Sequence, residues 1–184
     1  LRTIQTILYA VCRYRPDLTP LGLQCREHRI NRTEEANCVQ NGFHCAENPL
    51  DCFHYYPDWR NSVYCEVDAA GDLDEDAVDS KISCTEMRLV RRLSVEQMLF
   101  EAAVYMVEHP KRRCNAMVSR ETGTAGNGFG IVRGKNPKAA GKQGEFLLIL
   151  KEEQDSPEIE EIALIKIDGK RYHSDRFYDA SGKY

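Results

Sequence analysis

Asn41–Pro57 reads NGFHCAENPLDCFHYYP. It gathers four aromatic residues (Phe43, Phe53, Tyr55, Tyr56), two of the chain's five histidines (His44, His54) and two of its eight cysteines (Cys45, Cys52). A glycine and an aromatic followed by Glu47-Asn48-Pro49-Leu50-Asp51 mark a strand that ends, turns at Pro49 and enters one or two helical turns over Pro49–Tyr56.

Upstream, Thr3–Tyr14 is rich in β-branched and aromatic residues and predicts a strand, which Pro16 and Pro20 interrupt. Residues 24–40 are polar and irregular, as in a loop with a short helix. Downstream, Asn61–Asp68 places Val63, Cys65 and Val67 on one side, the pattern of a half-buried strand. Glu66–Asp79 then carries seven acids and no base. It reads first as a solvated loop, with a cation site or a DNA-mimicking surface as alternatives. Lys81–Leu93 resumes strand character. Ser94 and Gln97 form a capping box, with Leu93 and Met98 placed as a hydrophobic staple, at the head of a helix. Its apolar face is Val95, Met98, Leu99, Ala102, Ala103 and Met106, and Pro110 ends it.

From Lys111 to Gly144 the chain turns glycine-rich and basic. Lys111, Arg112, Arg113, Arg120, Arg133, Lys135, Lys138 and Lys142 face a single acid, Glu121. Two apolar strands follow, Glu145–Lys151 and Glu160–Ile167, and Asp168-Gly169 signals a hairpin returning through Lys170–His173. The expected class is α+β: a mixed α/β lobe over residues 1–112, then a small antiparallel β lobe over 113–184.

At 184 residues, 42% hydrophobic and 29% charged, the chain can bury a real core. It has no apolar run long enough for a membrane span. The segment RTIQTILYAVCRY is short in its apolar part and lacks a small-residue cleavage site, so no signal peptide is expected and a cytoplasmic location is. Asn31-Arg32-Thr33 is formally a glycosylation sequon. Cys12, Cys65 and Cys84 lie in apolar or alternating segments, as buried reduced thiols do. The net charge of −4 argues against a protein that coats nucleic acid generally, but leaves room for local patches.

Several chemistries find little support in the spacing. Zinc nucleobase deaminases need His-x-Glu and a later Pro-Cys-x-x-Cys, whereas this chain has His44-x-x-Glu47 and no Cys-x-x-Cys. A structural zinc drawn from Cys38, His44, Cys45, Cys52 or His54 matches no common knuckle or ribbon. A nucleophile pair of Cys45 or Cys52 with His44 or His54 would join sequence neighbours, which rarely reach the required geometry. No metal and no cofactor is expected. Tyr55, Tyr56 and Trp59 read as packing at a core edge, with a stacking platform as the alternative. The basic stretch reads either as a solvated loop or as a surface for phosphates.

Gly42-Phe43-His44, Glu47-Asn48-Pro49-Leu50-Asp51 and Tyr55-Tyr56-Pro57 resemble a family of phage and prophage proteins with a Gly-Phe-His-x-Cys-Glu-Asn-Pro-Leu-Asp motif followed by Tyr-Tyr-Pro. The similarity extends through Val63–Gly71, Ser80–Ser94, Ala139–Leu150 and Ile165–Gly169. This chain departs in having Ala46 where the relatives have cysteine, with Cys45 one place earlier, which argues against a catalytic role for that cysteine here. More distantly, Gly-Phe-His at a strand end, a short helix and the Val63–Val67 strand look like the middle of an ADP-ribosyltransferase-like fold.

The resemblance implies a phage or mobile-element protein of the host cytoplasm. The leading expectation is a non-enzymatic inhibitor, similar in kind to anti-CRISPR proteins, that binds a bacterial defence protein or ribonucleoprotein such as a nuclease–guide complex. Its contacts would come from the eight bases named above, with nucleic acid within reach. The rival is an ADP-ribosyltransferase-like enzyme acting on a nicotinamide dinucleotide or nucleotide derivative, for which His44, Glu47, Glu86 and Arg13 are the candidate catalytic residues. A phage accessory protein whose C-terminal lobe forms homo-oligomers is the third reading.

Overall fold

The computed structural model describes residues 8–13, 30–36, 41–75 and 80–184, with Cys12 and Arg13 placed by their backbone. The chain divides into two compact units, Leu1–Met98 and Leu99–Tyr184, and is α+β with more strand than helix.

The first unit is built on β5 (Lys81–Leu93), whose bounds match the predicted strand. One edge of β5 pairs antiparallel with β4 (Ser62–Glu75); the other takes β3 (Phe43–Ala46) and β2 (Ile30–Arg32). The far edge of β4 pairs with β1 (Leu8–Arg13), and among the described residues β1 reaches β3 through one residue pair, Tyr9↔Ala46. The strands β5, β3, β1 and β4 therefore close into a ring with one short seam. Period-two alternation sends Cys65, Val67 and Ala69 of β4 and Ile82, Cys84, Met87 and Leu89 of β5 inward, joined by Leu8, Ala10, Phe43 and Cys45. The alternation in β5 slips by one residue at Thr85. There β4 bulges between Ala70 and Leu73, and the Asp72 N–H donates to the Thr85 hydroxyl at 2.9 Å.

Through Glu75 the acidic stretch is strand, not the expected solvated loop. Strand β4 runs on through Glu75, because Val67 and Ala69 keep the inward alternation going beneath the charges. The outward acids meet bases of the neighbouring strand, Glu66 with Arg91 at 2.6 Å and Asp68 with Arg88. Of the expected loop with a short helix over residues 24–40, residues 24–29 and 37–40 lie outside the described residues, and β2 occupies 30–32. Residues 3–7 and 14 of the first predicted strand and 76–79 of the acidic stretch also lie outside. Asn31 of the formal sequon is 6% exposed and donates to the Met87 carbonyl at 3.4 Å.

Helix α1 (Pro49–Tyr55) starts where the motif predicted it: the Asn48 side chain accepts from the Leu50 N–H, and Pro49 opens the first turn. Helix α2 (Val95–Glu108) carries the capping box in both directions. The Ser94 N–H donates to Gln97 Oε1 at 2.8 Å and the Gln97 N–H to Ser94 Oγ at 3.1 Å. Met98, Leu99, Ala102, Ala103 and Met106 of its predicted apolar face are buried. Among the described residues no helix is long and apolar enough to cross a membrane.

The second unit corrects the expected antiparallel lobe. Its sheet runs β6 (Val118–Thr124), β7 (Phe129–Ala140), β8 (Phe146–Glu152), β9 (Ile159–Lys166); the first two pairings are parallel and only β8–β9 is antiparallel. Parallel neighbours ordinarily need a crossover of about a dozen residues, yet these connections are short. The strands solve this by bending. In β6 the register shifts between Arg120 and Thr122, where Glu121 takes a positive φ of 62°. The Glu121 carboxylate accepts the N–H groups of Lys135 (2.9 Å) and Asn136 (3.0 Å), which fixes the matching corner in β7. The next corner is stacked too, the Ala125 N–H bonding the Ala140 carbonyl at 2.7 Å. The chain thus winds forward in coils, and the glycine-rich stretch is strand and corner, not flexible loop. Val132, Ala139, Leu147, Ile149, Ile165, Ile167, Tyr178 and Ala180 form the core. Asp168-Gly169 does turn, with Asp168 Oδ1 accepting the N–H groups of Lys170, Arg171 and Tyr172, but no return strand follows.

Candidate functional site

The parallel register of β6 and β7 sets Arg120 beside Arg133. Like charges on adjacent strands repel, so the pair needs a counterion, and β8 supplies it as Glu152. Arg133 Nε reaches Glu152 Oε1 at 2.7 Å, and Arg120 grips both Glu152 oxygens at 2.7 and 2.8 Å. Arg133 is 2% exposed and also donates to the Pro110 and Pro157 carbonyls, each at 2.7 Å. Its charge is therefore committed to the fold, contrary to the expectation that it faces a partner. The bonds from Arg120 and then from Arg133 hold the Glu152 carboxyl below the usual carboxylate range against the opposing effect of burial.

Above this pair opens a groove of about 610 Å³. Lys111 and Arg112 after α2, Arg120 of β6, and Arg133 and Lys135 of β7 line it, facing the acids Glu152 and Asp155. Lys135 Nζ bonds the Ser156 carbonyl at 2.6 Å and that of Glu153, which closes the groove's far wall. Lys111 and Arg112 are exposed. Arg113, Lys138 and Lys142 are exposed but lie off the groove. Sequence reasoning picked out the cations and missed Glu152. The available signal was that it follows Leu148 and Leu150 on one face of a strand.

In the first unit the seam of the ring leaves a second hollow, of about 230 Å³. Tyr9, Ala10 and Val11 of β1, His44, Cys45 and Ala46 of β3, Cys52 and Tyr55 of α1, Tyr56, and Lys81 of β5 line it. The Cys52 thiol bonds the Tyr9 carbonyl at 3.4 Å and ties α1 to β1. Burial pushes that thiol's pKa well up, away from the thiolate form that a nucleophile uses. Burial, and secondarily the charge of Lys81, hold His44 below the ordinary histidine value and therefore neutral at pH 7.

Of the candidate catalytic residues whose side chains are described, His44, Glu47 and Glu86, only His44 lines the hollow. Glu86 instead pairs with Arg32 at 3.1 Å, and Glu47 is half-buried beside it without lining it. The side chain of Arg13 lies outside the described residues. Among the described residues no carboxylate lines the hollow, and no group of three or more His, Cys, Asp or Glu is placed to hold a metal.

The model of a domain of unknown function, DUF7666, matches residues 10–101, half of the chain. The chain belongs to that family. The DUF7666 match takes in β1 through the first turns of α2, and so nearly all of the lining of the smaller hollow, while the basic groove lies beyond it. No curated protein and no solved structure matches the chain.

Proposed function

We propose that this DUF7666 protein is a binding protein, not an enzyme, and that its second unit engages a phosphate-bearing polymer, nucleic acid alone or within a ribonucleoprotein. One observation carries the reading: cations from three segments line one open groove, and of these Lys111, Arg112 and Arg120 are exposed while Arg133 and Lys135 are bound into its walls. Such a surface attracts phosphates largely through counterion release, without a sequence-reading motif. Inhibition of a bacterial defence complex is the narrower form of the proposal, and the motif resemblance supports it. An ADP-ribosyltransferase-like enzyme is the weaker reading, since among the described residues no carboxylate joins His44 in lining the hollow.

Anisotropy of a labelled single-stranded oligonucleotide, followed across salt concentration, tests the proposal. Lys111→Glu with Arg112→Glu is expected to weaken binding and to reduce the salt slope by about 0.7 per lost phosphate contact. The off-groove pair Lys138→Glu and Lys142→Glu should have a smaller effect. Absence of binding at low salt, or equal weakening by both pairs, refutes it.

A further inference from the structure

The hollow in the first unit is unlike the basic groove in size, lining and charge. It lies where, among the described residues, β1 and β3 meet at a single residue pair and α1 packs against both strands. Ala10, Val11, Cys45, Ala46 and Cys52 make half of its lining apolar, and Tyr9, His44, Tyr55, Tyr56 and Lys81 add polar groups. Lys81 Nζ sits 4.8 Å from the centre of the Tyr55 ring and 3.5 Å from its hydroxyl, which fixes one positive charge against an aromatic face. Among the described residues the lining holds one lysine, one histidine and no carboxylate. At about 230 Å³ it is smaller than the roughly 300–1,000 Å³ of pockets for drug-sized ligands.

We propose that this hollow is a binding site for a small anionic aromatic, a single ring bearing a carboxylate. The ring packs against the apolar part of the lining beside Tyr55 and Tyr56, and the carboxylate meets the Lys81 ammonium. The hollow is preorganised, since α1 is capped by Asn48 and tied to β1 through Cys52, so a ligand orders little on entering. An anionic ring is favoured over a neutral one because a charge-assisted contact in a half-enclosed site is stronger than its neutral counterpart.

Benzoate, benzamide, cyclohexanecarboxylate and inorganic phosphate serve as probes in amide-resolved NMR titrations of the full chain. Benzoate is expected to give saturable shifts at His44, Cys45, Cys52 and Lys81. Benzamide should bind about tenfold more weakly, cyclohexanecarboxylate should bind more weakly than benzoate, and phosphate should give no saturable shift. Lys81→Met should bring benzoate down to the level of benzamide. Tyr55→Leu, at a residue 42% exposed and so tolerant of change, should weaken benzoate if the lysine variant does not fold. The proposal is overturned by absence of saturable benzoate shifts at these residues, by benzamide or cyclohexanecarboxylate binding as well as benzoate, by phosphate shifting the same amides, or by folded Lys81→Met or Tyr55→Leu protein binding benzoate undiminished. It stands apart from the groove of the second unit, whose failure would leave it untouched.

Discussion

Replacing Glu152 with glutamine keeps the shape of the side chain and removes one negative charge from a place where it balances two positive ones. Arg133 is 2% exposed, and two of its remaining bonds go to neutral carbonyls. Without the carboxylate its guanidinium becomes an uncompensated buried charge, a situation that costs about 3–5 kcal/mol. Arg120 is the control. Its side chain is 54% exposed, so Arg120→Ala removes a contact already screened by water, worth about 1 kcal/mol or less. The double variant Arg133→Met, Glu152→Leu removes both charges together and should recover most of the loss, since apolar replacement of a buried pair is often neutral or better. Amide hydrogen exchange at Val132 and at Leu147–Leu150 reads the opening free energy of this unit by itself, whether or not the two units unfold together. A loss for Glu152→Gln no larger than for Arg120→Ala would refute the account. A double variant as weak as the single one would do the same.

Acid should loosen the second unit. Glu152 is held low by its arginine bonds, Glu121 by the N–H groups of Asn136 and then Lys135, and Asp168 chiefly by that of Tyr172. Each stabilises the fold fully above its unfolded value, about 4, and loses that contribution as pH falls through its folded value. Melting midpoints measured from pH 6 down to pH 3 should therefore fall, and less steeply in Glu152→Gln. Gly42→Ala should destabilise the first unit by more than about 1 kcal/mol. Gly42 has φ +94°, and an added Cβ would lie 2.4 Å from the Ser83 oxygen, which bonds the Asn41 carbonyl; urea unfolding followed by Trp59 fluorescence measures this. Ser94→Ala should cost about 1 kcal/mol by far-UV circular dichroism in urea, with Ser94→Asp retaining most of the stability.

Local features are legible in the order of the residues alone. Asn48-Pro49 announces α1, Ser94 and Gln97 announce α2, and alternation marks Lys81–Leu93, because caps and side-chain periods depend on residues close along the chain. The basic composition of 111–144 is equally plain, and several of its bases do share a groove. What the linear order does not carry is partnership between distant strands. Glu66 and Asp68 look like loop acids until β5 sets Arg91 and Arg88 opposite them. Arg133 looks like surface charge until parallel register places it beside Arg120 and within reach of Glu152. Alternation reports which face is buried, but strand direction, the counterion of a buried charge and the hollow at the β1–β3 seam arise only when segments far apart in sequence are brought into register. Those were decided by tertiary structure.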